Sequence, residues 1–309
     1  MIFSLLGLAL IAIFLVGGYL FFKACRRGEE PRWLEVETLE NTNYKKYATH
    51  IAAADRWLKS HNAQDVFVES RDGLRLHGHW IPAEKPIGTM LLAHGYRSTK
   101  LLDFGMVFEL YHNVGMNLLI PDQRSHGQSE GKWITFGVKE SRDMLCWLEF
   151  HNEKYGYLPV VLSGLSMGAS TMLYLADADL PDNVKGIIAD CGFTSPSAIV
   201  GKVFKDVVHI PAGVFLWAAD LLARIFAGFS FYEKDSRKSL KHNRLPVFLV
   251  HGMADDFVPC EMTRQAFKAC TGKKQLLLVD GAGHGESYLV DGQNYKEMVI
   301  AFLNENIRR

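Results

Sequence analysis

Short apolar runs alternate along most of the chain with longer segments whose apolar residues recur at helical spacing. The candidate strands are residues 66–70, 74–80, 88–94, 117–122, 159–164, 184–190, 246–252 and 274–280. The first two flank the tripeptide RDG and predict an antiparallel hairpin. The later runs are apolar on both faces. The segments with helical periodicity between and after them are 101–112, 139–155, 167–176, 261–270 and 294–307. This pattern predicts an α/β fold with a mostly parallel sheet covered by helices on both sides.

One segment, at about 195–240, interrupts the alternation, because it is mostly helical and apolar and lies between two strands. An insertion at this point predicts a helical cap over the carboxyl ends of the strands, where open α/β sheets bind ligands. Its stretch 211–230 resembles a membrane span in composition. Asp220 and Arg224 lie near the centre of that stretch, however, and each costs about 2.5–3.5 kcal/mol in a bilayer. Being four residues apart, they share one helical face, which favours an amphipathic helix.

The N-terminal stretch 2–22 contains no charged residue. Twenty-one helical residues rise about 31 Å, enough to cross the hydrocarbon core of a bilayer. A cleaved signal peptide would place its basic residues before the apolar run, whereas here Lys23, Arg26 and Arg27 follow it. A buried helix of a soluble protein would normally keep a polar face. We therefore predict a single-pass membrane anchor, and the positive-inside rule predicts that the chain from Lys23 onward lies in the cytoplasm.

These segments predict three regions: an anchor with its basic flank at 1–27, a helical lead-in at 28–64, and an α/β domain with its cap at 65–309. The chain has 34 Lys and Arg residues against 34 Asp and Glu residues. This balance gives no indication of a nucleic-acid partner. The five cysteines are scattered and include no CxxC pair, which argues against a disulfide framework and against a zinc site.

The sequence GLSMG at 164–168 ends an apolar strand and is followed at once by a helix-forming segment. A serine in a sharp strand-to-helix turn needs small residues two positions away on either side, because its strained backbone crowds those positions. Gly164 and Gly168 satisfy this requirement. Ser166 is therefore a candidate nucleophile, and the N-terminus of the following helix would direct free N–H groups at the reacting centre.

A serine nucleophile needs a base and an acid, which in this kind of turn follow it along the chain. His284 lies in a glycine-rich loop directly after the last candidate strand, and we predict that it is the base. Three carboxylates are candidates for the acid: Asp255 and Asp256, which are adjacent after one strand, and Asp190, which ends another. The spacing alone does not choose among them.

The reaction also needs two backbone donors for the developing negative charge. One predicted donor is the N–H of Met167, the residue after the nucleophile. The other is the N–H of Tyr96, in the loop after the third strand, where Gly95 permits a tight bend.

Five stretches occur in an order and spacing that resemble the α/β-hydrolase superfamily: LLAHGYRS, PDQRSHGQSEGKWITFG, GLSMGA, HGMADDFVP and GAGHGE. The resemblance covers roughly residues 65–307 and is greatest to the branch of bacterial serine aminopeptidases, monoglyceride lipases and small esterases. In that branch the acid lies four residues after the motif histidine, here His251, which selects Asp255. The resemblance also implies a structural role for the loop containing His126. The residues it assigns are the nucleophile Ser166, the base His284, the acid Asp255 and the oxyanion donors Tyr96 and Met167.

These observations predict a membrane-anchored serine hydrolase that cleaves carboxylic esters through an acyl-enzyme, without a metal or organic cofactor. Aromatic residues of the cap, chiefly Phe215 and Trp217, are candidates for an acyl pocket, which favours lipophilic, lipid-like esters. Two alternatives stay open. One is a serine peptidase or amidase that acts on small peptides, and the other is a non-catalytic, membrane-tethered binding module.

Overall fold

The computed structural model describes residues 2–28 and 47–307. The strands are β1 (Gln64–Glu69), β2 (Arg75–Ile81), β3 (Gly88–Ala93), β4 (Met116–Pro121), β5 (Val160–Leu165), β6 (Val184–Asp190), β7 (Val247–Gly252) and β8 (Lys274–Val279). The helices before β6 are α1 (Ile2–Cys25), α2 (Ala48–Ser60), α3 (Lys100–Phe104), α4 (Phe108–Asn113), α5 (Val138–Tyr155) and α6 (Met167–Leu173). The later helices are α7 (Pro196–Val208), α8 (Gly213–Leu222), α9 (Ser236–Leu240), α10 (Cys260–Ala269), α11 (Ser287–Val290) and α12 (Gly292–Ile307). Of the predicted lead-in at 28–64, residues 29–46 lie outside the described residues.

The strands form one eight-stranded sheet in the order β1-β2-β4-β3-β5-β6-β7-β8. The hairpin β1–β2 is antiparallel, β2 also pairs antiparallel with β4, and the pairs from β4 through β8 are parallel. The predicted α/β architecture is thereby confirmed. One predicted helix, at 101–112, is instead the two helices α3 and α4. The chain turns between them at Gly105, where a Cβ atom would lie 2.5 Å from the Cβ of Ala54 in α2.

Alternate residues of the central strands pack into two different cores. Met90 and Leu92 of β3 lie in the cluster that contains Phe302 of α12. Leu91, between them, lies in the opposite cluster with Trp147 of α5. Because both faces are covered, these strands are apolar throughout, which explains why the sequence pattern predicted them.

The cap lies between β6 and β7 and consists mainly of α7, α8 and one π-helical turn, Ala223–Ala227. The polar and apolar side chains of α8 are not divided between outside and inside as in an ordinary amphipathic helix. Asp220 is 5% exposed and accepts hydrogen bonds from Ser230 Oγ and Phe231 N, both 2.7 Å, and from Arg224 Nε at 2.8 Å. Trp217, in contrast, points away from the body and is 55% exposed. The acidic residue is thus inside and the large apolar residue outside.

Helix α1 packs directly on the cap helix α8. At Gly17 of α1 the helices touch so closely that a Cβ atom would lie 2.6 Å from the Cβ of Ala218. Phe21 and Cys25 of α1 are fully buried in a third core that includes Leu216. Within residues 2–28 and 47–307, α1 is the one helix long and apolar enough to cross a membrane.

Candidate active site

Ser166 lies in the turn between β5 and α6 with a backbone conformation of φ 54° and ψ −115°. A positive φ is rare for a residue with a side chain, and it persists only where the surroundings enforce it. Here they do, because a Cβ at Gly164 would lie 2.2 Å from the carbonyl oxygen of Gly168. A Cβ at Gly168 would lie 1.8 Å from the carbonyl oxygen of Ala93. The two glycines let strand, turn and helix pass this closely and present Ser166 Oγ at the carboxyl end of the sheet.

Three predicted residues form one hydrogen-bonded chain. Ser166 Oγ lies 2.9 Å from His284 Nε2, and His284 Nδ1 lies 2.7 Å from Asp255 Oδ2. Since an ionised carboxylate only accepts, Nδ1 carries the proton and Nε2 is free to accept the proton of the serine hydroxyl. This is the tautomer that a histidine needs in order to act as a general base toward serine.

The Asp255 carboxylate is itself held by further donors. Its Oδ1 accepts from the backbone N–H groups of Phe257 (3.0 Å) and Val258 (2.8 Å). Its Oδ2 accepts from His251 Nε2 at 3.1 Å, while Thr263 Oγ1 lies 2.6 Å from Nδ1 of the same ring. Burial alone would raise the pKa of Asp255, but the hydrogen bonds from His251 and His284 outweigh it and hold the pKa well below the ordinary value. The carboxylate therefore stays ionised beside His284.

The two predicted oxyanion donors are available for a ligand. Met167 N is the first amide of α6, and Tyr96 N lies in the loop after β3. Within the described part of the chain, neither amide donates to a protein acceptor. Tyr96 lines the cavity at Ser166, and Met167 directly follows Ser166 in the chain. An oxyanion would develop in this cavity.

Buried polar side chains fix the loop that contains Tyr96. Asp103 accepts from Gly95 N and from Ser98 Oγ, both at 2.5 Å. His126 Nε2 accepts from Arg97 N at 2.9 Å. Burial lowers the pKa of His126 to about 3, so this ring is neutral and keeps its acceptor nitrogen. The position of His126 agrees with the structural role expected for it.

The sequence and the fold of this chain are similar to those of known proteins. The family described as "alpha/beta hydrolase fold" matches residues 88–220. An esterase of Pyrococcus furiosus superposes with a TM-score of 0.67 at 23% identity, covering 81% of this chain and 94% of that protein. The chain has the α/β-hydrolase fold.

Other proteins are similar to this chain at low identity. Est1E of Butyrivibrio proteoclasticus, solved with ferulic acid, superposes with a TM-score of 0.62 at 17% identity, over 79% of this chain and all of that protein. The uncharacterized protein YqkD of Bacillus subtilis is 26% identical over 77% of this chain and 78% of its own length. An uncharacterized membrane protein of Saccharomyces cerevisiae is 24% identical over 63% of each chain. These likenesses do not single out a branch of the fold family.

The end of α1 is hydrogen-bonded to the loop after β3, which contains Tyr96 and Arg97. Tyr96 Oη donates to the carbonyl of Ala24 at 2.8 Å. Arg97 Nη2 donates to the carbonyls of Lys23 and Arg26, both at 2.9 Å. The carbonyl oxygen of Cys25, at the end of α1, also accepts a hydrogen bond from Ile134 N at 2.6 Å. No local pattern predicts these contacts, because they join segments at least 70 residues apart in the chain.

A cavity of about 780 Å³ opens at Ser166. Its apolar lining includes Leu102, Met106, Leu165 and Phe257. The predicted pocket residues Phe215 and Trp217 do not line it. Phe215 packs on Phe204 inside the cap, with ring centroids 5.6 Å apart. Trp217 instead lies beside Phe14 of α1, with ring centroids 5.9 Å apart. This part of the prediction was wrong, because Phe215 packs against α7 and Trp217 against α1, so neither side chain reaches the cavity.

The other two candidate acids lie away from the His284 ring. Asp190 ends β6 and contacts Ser287 Oγ at 3.3 Å, and burial raises the pKa of Asp190 to about 6. Asp256 lines the cavity mouth. Among the described residues, neither carboxylate is hydrogen-bonded to His284.

Within residues 2–28 and 47–307, two groups of side chains place metal-ligand atoms close together. One consists of Cys191, Asp255 and His284, but there both histidine nitrogens already face Ser166 and Asp255. Burial also raises the pKa of the Cys191 thiol well above its ordinary value, so the thiol stays protonated. The other group is Asp65, His77 and His79 on the β1–β2 hairpin. His77 in this second group is hydrogen-bonded through one ring nitrogen to Asp122 and through the other to Asp65.

Proposed function

We propose that this protein is a membrane-anchored serine hydrolase that cleaves carboxylic esters with lipophilic acyl groups. The observation that supports it most strongly is the chain Ser166 Oγ–His284 Nε2 at 2.9 Å and His284 Nδ1–Asp255 Oδ2 at 2.7 Å. The turn that presents Ser166 adds to it, since such strained backbone is found where function requires it. The esterase among the structural neighbours is consistent with the same chemistry.

The proposed reaction has two half-reactions. His284 Nε2 takes the hydroxyl proton as Ser166 Oγ attacks the ester carbonyl, and the N–H groups of Tyr96 and Met167 bind the oxyanion. The imidazolium, stabilised by Asp255, returns the proton to the leaving alcohol, and an acyl-enzyme remains. Water activated by His284 then attacks the acyl-enzyme and releases the acid.

Two features favour a lipophilic substrate. The cavity beside Ser166 is lined by Leu102, Met106, Leu165 and Phe257, side chains that would contact an acyl chain. The helix α1, which we propose to be a single-pass anchor with the catalytic domain in the cytoplasm, would also hold the cavity near membrane lipids. Both features concern the acyl part of the substrate and leave the alcohol part open.

The experiment is ester turnover by the full chain in detergent, using p-nitrophenyl esters of increasing chain length. We expect a preference for medium or long acyl chains, and Ser166→Ala should lose at least about 10³-fold in kcat. Ser60→Ala, at the exposed end of α2, is the matched control and should leave kcat unchanged. A folded wild-type protein that turns over no ester and resists a fluorophosphonate probe would instead favour a binding module.

A peptidase is the second candidate, because carboxylates lie at the cavity. Asp256 and Glu286 both line it, and a carboxylate there would attract the amino group of a peptide. Glu286, however, already accepts from Tyr47 Oη at 2.6 Å and from Gly283 N at 3.1 Å. Comparing aminoacyl p-nitroanilides with the esters tests this directly, and faster turnover of the anilides would favour the peptidase.

A further inference from the structure

The outer face of the cap is apolar. Large hydrophobic side chains that are at least one-third exposed occur along it from the end of α7 to the π-helical turn. They include Val207 (73%), Val214 (54%), Trp217 (55%), Leu221 (37%), Ile225 (64%) and Phe226 (54%). Soluble monomers rarely expose so many large apolar side chains together, and such a patch usually marks a contact surface. We call these six residues the cap face.

The cap face is continuous with the exposed side of α1. Phe14 and Trp217 are in edge contact with ring centroids 5.9 Å apart, and Phe22 and Phe226 lie 6.2 Å apart. Tyr19, between them on α1, is 69% exposed. The two surfaces therefore form one apolar area that no described part of the chain covers.

The position of the charges on α1 indicates how deep this area would lie. The first charged residue after the apolar run is Lys23, which marks the boundary with the aqueous phase. Gly17 lies six residues before it and Phe14 nine residues before it, or about 9 and 14 Å along the helix axis. Since α8 packs against α1 at both points, an inserted α1 places the outer side of α8 below the same boundary.

The charges of α8 and the π-helical turn are arranged in a way that permits this, whereas the exposed Lys205 and Asp206 beside Val207 would keep the end of α7 at the aqueous boundary. Asp220 is turned inward and satisfied by Ser230, Phe231 and Arg224. Arg224, whose side chain is 59% exposed, is paired with that same carboxylate at 2.8 Å. A paired charge near the bilayer surface costs much less than an isolated charge at its centre.

We propose that the cap face is inserted into the lipid bilayer, so that the catalytic domain contacts the membrane directly and is not joined to it through α1 alone. This inference rests on the proposed anchor. The occupant is the acyl region of a phospholipid bilayer, entered to the depth of Gly17 and Phe14 on α1, about 9–14 Å from Lys23 along the helix axis. Tyr96 lines the catalytic cavity and is bonded to the end of α1, so the cavity lies close to the lipid surface.

The test measures depth with a fluorophore and needs no catalytic activity. The full chain carries Cys260→Ser, because the other four cysteines are buried, and receives one new cysteine at a time. The positions are Trp217→Cys on the cap face, Leu10→Cys on α1 and Tyr157→Cys, which is 63% exposed before β5 at the other end of the strands. Each variant is labelled with an NBD maleimide and reconstituted into phosphatidylcholine vesicles with or without 5-doxyl phosphatidylcholine.

We expect the doxyl lipid to quench the probes at positions 217 and 10 several-fold more than the probe at 157. Quenching at position 10 with none at 217 beyond that at 157 would overturn the proposal while leaving the anchor intact. Absence of quenching at both 10 and 217 would overturn the anchor as well. Ester turnover, measured separately in detergent, does not depend on any of these outcomes.

Discussion

Replacing Asp255 by asparagine tests which carboxylate acts as the acid. The carboxylate accepts four hydrogen bonds, two on each oxygen. In Asp255→Asn the amide oxygen can keep the two backbone donors, Phe257 N and Val258 N, and the amide NH₂ group then faces His284 Nδ1. To accept from that group, Nδ1 must lose its proton, which moves to Nε2. The ring then presents a donor to Ser166 and cannot act as its base.

The expected loss follows from this change of tautomer. We expect kcat to fall roughly 10⁴-fold, about 5 kcal/mol of transition-state stabilisation, which is the size of effect known for this exchange in a serine protease triad. The protein should stay folded, since both backbone donors remain satisfied. The assay is p-nitrophenyl ester turnover at saturating substrate, together with the rate of fluorophosphonate labelling, which should fall in parallel.

The two other candidate acids are the matched controls. Asp256→Asn, at the cavity mouth, should change KM more than kcat, and Asp190→Asn should leave kcat close to the wild-type value. If Asp255→Asn kept kcat within tenfold of wild type, the assignment of Asp255 as the acid would be refuted. A large loss in Asp190→Asn alone would place the acid at the end of β6 instead.

Three further predictions concern the supports of the site. Gly168→Ala should lower the free energy of unfolding by about 3 kcal/mol or prevent folding, because its Cβ would lie 1.8 Å from Ala93 O. Gly213→Ala, whose Cβ would meet nothing within 4 Å, should keep the wild-type melting temperature, and equal melting of both variants would contradict the steric argument. Burial raises the pKa of Asp103 to about 6, so between about pH 4 and 6 the folded state binds more protons than the unfolded state and stability falls as pH rises. The free energy of unfolding of Asp103→Asn minus that of wild type, measured with urea, should therefore rise by about 1 kcal/mol from pH 5 to pH 8. The same difference at both pH values would contradict a raised pKa of Asp103. Tyr96→Phe removes the hydroxyl bond to the end of α1 and should cost about 1 kcal/mol with a modest fall in kcat, whereas an unchanged melting temperature and kcat would show that the bond is not needed.

The strands and the turn at Ser166 were predictable because their causes are local. A strand covered on both faces is apolar throughout, as β3 is. The turn requires glycine at two fixed distances from the serine, so Gly164 and Gly168 identify it in sequence. His284 was placed by its position in a glycine-rich loop after the last strand, and the structure brings it within hydrogen-bond distance of Ser166.

Features that depend on long-range contacts were not predictable in this way. Three carboxylates had similar local sequence, and only the resemblance selected Asp255, because the choice depends on which strand end faces His284. Nothing near Asp103 indicates that its side chain accepts from Gly95 N. The aromatic residues of the cap, Phe215 and Trp217, were assigned to a pocket from their composition and their place in the insertion. Which side of α8 faces the cavity depends on its packing against α7 and α1, which the local sequence does not show.

Helix α1 is better understood as part of the folded domain than as a segment appended to it. Phe21 and Cys25 fill the core beneath the cap, and the last carbonyls of α1 accept hydrogen bonds from Tyr96 and Arg97 in the loop after β3. Removing the apolar helix to obtain a soluble protein would therefore uncover a buried core and free the loop to which we assign an oxyanion donor. Low activity in such a truncated protein would reflect a loosened loop as much as a lost membrane. Detergent-solubilised full-length protein is the form in which the chemistry of Ser166 should be measured.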